Sequence, residues 1–337
     1  MPQICPKIFV IVNRALRGFG NVGKIMTRMR QLAFGRRGSD GTSAGQSISR
    51  DRDEGMIAVF SRLPGALLRA AFVVLLIAAP SILMPLSSAD SAMIVTLIAI
   101  CAASFTLVEY TAASPSMVEF RRAPPFNRLR FGTLFITVMT LSLVLHRADE
   151  ASTLTRFFQV AGERIGASID FPYSPVRLLV LMMPDGTPAN VLESLRVAGG
   201  LSYLISLIAT ATFVIMLRVN RWPRKTGAFN VWVNLPRFDP TVGGDVVARL
   251  NRDSRVNIIL GFLLPFLIPA IIKITVILGG SIDLNDPQTM VWMVTAWAFL
   301  PASMLMRGVA LSRVAQLIHI HRKRAYAQAV ADGMLPA

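Results

Sequence analysis

The lysine and arginine residues of this chain are distributed very unevenly between a series of long apolar stretches. Six such stretches are present, at residues 67–86, 92–109, 131–145, 198–217, 256–278 and 289–306. A helix rises about 1.5 Å per residue, so about 20 apolar residues cross a hydrocarbon layer of about 30 Å. Most of the stretches reach that length, and the third is shorter because Arg130 and His146 close its ends. The pattern predicts an all-α, polytopic membrane protein with six transmembrane helices.

The positions of the basic residues predict how these helices are oriented. The segment before the first span, every second gap after it and the segment after the last span together hold 28 lysines and arginines, whereas the other gaps hold 5. The positive-inside rule then places both termini and the inner loop, 218–255, in the cytoplasm, and the outer loop, 146–197, outside. An odd number of spans would break this alternation. We expect an integral protein of a bacterial inner membrane, with an organellar membrane as the alternative.

The overall composition fits the same class. Hydrophobic residues make up 53% of the chain and charged residues 16%, while the formal net charge is +16 at pH 7. A strongly basic soluble chain would indicate nucleic acid, but here topology and lipid headgroups account for the charge. We therefore expect anionic lipid and integral membrane proteins as partners, and no nucleic acid.

The first 34 residues form a separate basic segment. No acid occurs before Asp40, and apolar residues recur at helical spacing from Val22 to Met29. This is typical of a basic amphipathic helix that lies on an anionic membrane surface. The expected headgroup contacts are Arg14, Arg17, Lys24, Arg28 and Arg30. A mitochondrial transit peptide is the rival interpretation, although no serine precedes Ser39.

The remaining boundaries follow from composition and turn residues. Residues 35–66 are expected to be a flexible linker and lead-in, 67–311 the six-span domain, and 312–337 a cytoplasmic extension of the last helix. In the outer loop, Ser174-Pro175 predicts the start of a short helix, and Thr187-Pro188 the start of one that runs into span four. In the inner loop, residues 229–235 alternate as a strand would, and Gly243-Gly244-Asp245 precedes a helix that leads into span five.

Motifs for catalysis, metals and cofactors are missing or out of context. Residues 18–24 match G-x-G-x-x-G and most of a P-loop, but Ile25 stands where a magnesium-binding hydroxyl is required. No second strand follows, so we interpret these glycines as a hinge. His319 and His321 point to different sides of a helix, and His146 is predicted on the opposite side of the membrane. We expect no enzyme activity, no cofactor and no metal.

Ionisable residues inside the spans are the strongest functional lead, because burying them is costly. Lys273 follows Pro265 and Pro269 on one face of span five. It either snorkels to the outer surface or pairs across an outward cavity with an outer acid. The candidate acids are Asp90, Glu150, Asp283 and Asp286. At the cytoplasmic ends of spans one, two and six, Arg69, Glu109 and Arg307 are expected to form a structural ion-pair cluster.

The last group of candidates concerns contacts with other proteins. Ser202 and Ser206 belong to a stripe of small residues on span four, which allows another helix to approach closely. Trp222 and Trp232 lie among the basic residues of the inner loop, at a membrane interface or a docking surface. The favoured function is a non-enzymatic accessory, scaffold or assembly protein of a larger membrane complex. A small-solute transporter or channel with a pathway near Lys273 is the alternative, and a membrane-embedded enzyme acting on lipid is third.

Overall fold

The structure, a computed structural model, describes most but not all of the chain. The backbone is described at residues 45–84, 89–112, 116–121, 123–146, 153–219, 222, 234–236, 238–239, 243–280 and 284–333, with side chains from Arg62 onward except at 89 and 154. The chain divides into two compact units, 1–58 and 59–337. The predicted N-terminal surface helix, Trp232 and most of the predicted strand at 229–235 lie outside the described residues.

All regular secondary structure in the described residues is helical. The eight helices are α1 (Gly45–Leu83), α2 (Ala89–Thr111), α3 (Phe126–Val144), α4 (Thr153–Ile169), α5 (Pro175–Leu181), α6 (Ala189–Val219), α7 (Val246–Ile277) and α8 (Pro287–Ala331). Helix α1 begins at Gly45, inside the segment assigned to linker and lead-in, because helix propagation extends a favourable run over weaker residues beside it.

Five of the helical segments are long and apolar enough to cross a membrane. They are Arg62–Leu83, Asp90–Thr111, Ala189–Val219, Val246–Ile277 and Pro287–Ala331. These segments indicate a multi-pass, helical integral membrane protein. The predicted third span coincides with α3, whose first turns contain Asn127, Arg128 and Arg130 and which is not among the five.

Several predicted helix starts are confirmed. Ser174 caps α5 by accepting a hydrogen bond from the backbone N–H of Arg177 at 3.0 Å, and Asp245 caps α7 through Ala248 in the same way. Helix α6 begins directly after Thr187-Pro188 and continues as one helix through the fourth apolar stretch. The chain leaves α8 at Gly333, with a φ of 70° that favours glycine. Short polar side chains at helix ends are local signals, so the sequence alone reveals them.

The helices enclose two apolar cores. Helix α8 packs along α7 and also contacts α3 and α6, and α6 contacts α3, α4 and α5. The α5 core contains buried residues of α1, α3, α5, α6 and α8, among them Leu141, Leu179, Leu195 and Trp297. The Trp222 core lies around Trp222, Phe120, Phe126, Phe213 and Met306.

Glycine residues set the separation between α7 and α8. A Cβ atom added to Gly261 would lie 2.8 Å from the backbone oxygen of Pro301, and one added to Gly308 would lie 2.9 Å from that of Ser254. The Ser254 hydroxyl also donates to the Gly308 oxygen at 2.7 Å. Small residues at the crossing allow the two backbones to approach closely, as in many membrane helix pairs.

Candidate functional site

The connection between α2 and α3 places one carboxylate against α8. Phe120 has a φ of 53°, which is uncommon for a residue other than glycine. Its ring is held in the Trp222 core, with centroids 4.6 Å from Phe126 and 5.5 Å from Trp222. The side-chain amide of Asn127 donates a hydrogen bond to the backbone oxygen of Glu119 at 2.7 Å. These contacts fix the backbone next to Glu119 and therefore the position of its side chain.

Glu119 forms a bidentate ion pair with Arg307. Nε of Arg307 lies 2.7 Å from Oε2, and Nη2 lies 2.9 Å from Oε1. The Glu119 side chain is 10% exposed and that of Arg307 is 31% exposed. An arginine fork that matches both carboxylate oxygens is the strongest common ion-pair geometry. This pair ties the α2–α3 connection to the middle of α8, 188 residues later in the chain.

Arg130 lies beside this pair without a carboxylate partner of its own. Its Nη2 donates to the Ser303 hydroxyl at 2.5 Å, and its guanidinium lies 5.1 Å from the centre of the Phe126 ring. Its Nε is buried and has no hydrogen-bond partner among the described residues. Both contacts are with neutral groups, so the positive charge of Arg130 is not neutralised by them.

Glu109 binds backbone amides rather than arginines. Its carboxylate accepts hydrogen bonds from the backbone N–H groups of Ser116, Met117 and Val118 at 3.1–3.2 Å, and from the Ser116 hydroxyl. Arg121 donates to the backbone oxygens of Glu109 and Ala112 at the end of α2. Glu109 thus organises the turn that follows α2.

The expected ion-pair cluster of Arg69, Glu109 and Arg307 requires correction. Arg69 donates to the Gly65 oxygen at 2.6 Å and lies 4.6 Å from the centre of the Tyr110 ring. Arg307 pairs with Glu119, and Glu109 with loop amides, so no ion pair joins the three within the described part of the chain. The apolar stretches predict all three at one level of the membrane domain, but helix packing and the loop after α2 decide their partners. The missed signal was Glu119, the one acid in the basic loop after span two.

Lys273 lies beside a turn at the start of α6. Its Nζ donates to the Met183 oxygen at 3.1 Å and lies 3.9 Å from Oδ1 of the fully exposed Asp185. The turn at 183–188, with Leu284 and Asn285, lines a pocket of about 240 Å³. Of the acids predicted as partners, Asp286 instead caps α8 by accepting from the N–H of Thr289, while Glu150 and Asp283 lie outside the described residues.

Three of the residues predicted to contact partners are described by the structure, and all three are buried. Trp222, expected at an interface, is 2% exposed, and its Nε1 donates to the backbone oxygens of Ala123 and Pro124. It belongs to the protein core because its ring completes a cluster of aromatic side chains, which its basic neighbours in the sequence do not reveal. Ser202 and Ser206 are also buried and lie within the chain's own packing.

The described residues contain no group of three or more His, Cys, Asp or Glu side chains that could hold a metal ion. Comparison with models of known protein families, with curated proteins and with solved structures finds no match to this chain.

Proposed function

We propose that this protein is a non-enzymatic accessory, scaffold or assembly subunit of a larger complex in a bacterial inner membrane. In this proposal the chain crosses the membrane six times, both termini are cytoplasmic, and the partners are integral membrane proteins and anionic lipid. The main support for the proposal is the exposed apolar surface of α2.

Helix α2 is apolar along its length, yet its own chain covers little of it. Only 6% of its most apolar 18 residues are buried. The side chains that are about half exposed or more are Met93, Ile94, Leu97, Ile98, Ile100, Phe105 and Val108. A helix that is apolar all round must be covered by lipid or by other helices. Alanines between these residues would let a partner helix approach closely.

The position of α3 supports a sixth crossing. Its 19 residues span about 28 Å, close to the thickness of the hydrocarbon layer. Several residues in its second half are buried, including Thr137, Val138 and Leu141, and its arginines lie near one end. A buried, partly polar helix of this length is sheltered from lipid by its neighbours. The alternation of basic segments is also kept only with an even number of crossings.

The contacts of Lys273 favour this proposal over a solute pathway. Lys273 reaches a backbone oxygen and an exposed carboxylate, which is how a long cationic side chain snorkels from a span to the surface. The carboxylates of Glu109 and Glu119 are used to bind loop amides and an arginine. Groups held this way stabilise the fold and offer little to a transported solute.

Site-specific photo-crosslinking tests the proposal. A photoreactive residue at Leu97 on α2 should give discrete adducts with integral membrane proteins in native membranes. Phe262 on α7, which is 65% exposed, provides the matched apolar control. Lipid adducts alone at Leu97 would contradict the partner proposal. Cysteine labelling at Ser168 in a chain lacking Cys5 and Cys101 tests the topology, which requires reaction from the outer side.

A further inference from the structure

Helix α4 lies across the end of α6 rather than alongside it. A Cβ atom added to Gly162 would lie 2.7 Å from a methyl group of Val197, and one added to Gly166 would lie 3.2 Å from the Cα of the same valine. Positions four residues apart in α4 therefore meet one turn of α6. Helices that run side by side advance together along their contact, so α4 crosses α6 at a steep angle. Because α6 is long and apolar enough to span a membrane, α4 runs close to the membrane plane.

The crossing lies at the level of a membrane surface. Along α6, Val197 is about 30 Å from Arg218, which closes the other end of the apolar stretch, and this distance equals the hydrocarbon thickness. A second contact places α4 at the same level. The side chain of Gln159 donates to the backbone oxygen of Val144, the last residue of α3, at 3.3 Å. This second marker rests on the proposed crossing of the membrane by α3, whereas the first depends on α6 alone.

The face of α4 that points away from the other helices carries large apolar side chains. Phe158 and Ile165 pack against the α5 core on one side of the helix. On the other side, Phe157 is 65% exposed and Val160 is 58% exposed. The charged residues on this side are also exposed, and they are Arg156, Glu163 and Arg164. A helix presents such a mixture of apolar and charged side chains where acyl chains meet lipid headgroups.

We propose that α4 is an interfacial helix whose outward face binds the phospholipid leaflet at this end of the bundle. Phe157 and Val160 lie among the upper parts of the acyl chains, and the charged side chains reach the headgroups. Lipid fits this face better than a partner helix does, because the charged side chains around Val160 stay hydrated at headgroup level and would lose water in a dry helix contact. The surface is separate from that of α2, and in the proposed topology it faces the outer leaflet.

Spin labelling of the purified full chain in phospholipid bilayers tests the depth of this face. A nitroxide is attached to Val160→Cys in a chain lacking Cys5 and Cys101, and its collisions with oxygen, which concentrates among acyl chains, are compared with those of a water-soluble nickel complex. Two controls lie on α6. Asn190→Cys is at an exposed position about 10 Å further out than Val197, and Ile208→Cys is at a 57% exposed position inside the apolar stretch. The preference for oxygen at Val160 should exceed that at Asn190 and be smaller than that at Ile208.

A nitroxide at Val160 that prefers nickel as strongly as the one at Asn190 would overturn the inference. The same preference at Ile208 would show that α6 does not cross the bilayer, and the membrane assignment would fail with it. Photo-crosslinking in native membranes then separates lipid from protein as the occupant. A photoreactive residue at Phe157 should give lipid adducts, and discrete protein adducts there would contradict a lipid-bound face. The result at Leu97 on α2 does not affect this outcome, because it reports on a different surface.

Discussion

Gly166 of α4 and Gly200 of α6 are in backbone contact: a Cβ atom added to Gly200 would lie 2.7 Å from the Cα of Gly166 and 3.0 Å from its nitrogen. Gly162, four residues before Gly166, is just as close to α6, where a Cβ would lie 2.7 Å from a methyl of Val197. Glycines four apart allow two helices to cross with little separation. Asp170, directly after α4, adds ion pairs to Arg177 of α5 and Arg196 of α6 at 3.2 and 2.8 Å. This crossing attaches the predicted outer loop to the membrane domain.

Substitution of Gly200 by alanine should destabilise the protein by about 1–3 kcal/mol, because the added methyl meets backbone that cannot move aside. The control is Gly132→Ala in α3, where an added Cβ has no atom within 4 Å. That change should be neutral or stabilise by up to about 1 kcal/mol through helix propensity. Unfolding in mixed micelles measures both, and equal effects would argue against the backbone contact.

Removal of the Glu119 charge by Glu119→Gln should destabilise the protein by about 2 kcal/mol. The expected value is below the roughly 3–5 kcal/mol of a fully buried pair, because Arg307 is partly exposed. A double-mutant cycle with Arg307→Gln should show a coupling energy of about 1 kcal/mol or more. Additive single effects would mean that the two residues do not interact in the membrane.

Lys273→Met should change the free energy of unfolding by less than about 1 kcal/mol and leave any native complex intact. The substitution removes one hydrogen bond to the Met183 oxygen and a long, exposed contact with Asp185. Lys273→Arg, which keeps a long cationic stem, should behave like the unaltered protein. A severe loss of function at normal expression, in Lys273→Met alone, would favour the transporter alternative.

The contact between Asp245 and Arg322 should give an acid-sensitive contribution to stability. The hydrogen bond from Arg322 at 2.5 Å, and that from the Ala248 N–H, hold the pKa of Asp245 below its ordinary value. A pKa lowered by folding stabilises the protein above the unfolded value of about 3.9, and the contribution disappears as the pH falls through the folded value. The difference in melting temperature between the unaltered protein and Asp245→Asn should therefore be present at pH 6 and shrink below about pH 4.

Asparagine caps a helix about as effectively as aspartate does. Asp245→Asn therefore keeps the helix cap and removes only the negative charge. Arg322→Gln should show the same dependence on pH, because it removes the other member of the contact. A difference that persists unchanged into strong acid would show that the ion pair does not contribute.

The sequence by itself determined the helical membrane class and many of the helix limits. The length of an apolar stretch can be read directly from consecutive residues. The sequence therefore predicts the membrane-spanning parts of α1, α2, α6, α7 and α8. Helix caps are similarly local: Ser174 and Asp245 sit within three residues of the N–H groups that they accept. Such features depend on spacing along the chain, which is what a single sequence displays.

Only the tertiary structure decided which residues meet. Glu119 and Arg307 are 188 residues apart, and Arg130 and Ser303 are 173 apart, so their contacts depend on α3 and α8 being neighbours. The predicted cluster of Arg69, Glu109 and Arg307 was wrong for this reason. The sequence predicts that the three residues lie at a similar depth, but residues at the same depth need not be neighbours. Trp222 was misplaced because its burial depends on Phe120 and Phe213, from distant segments. Periodicity sets the face and depth of a side chain, whereas helix packing and loop paths select its partner.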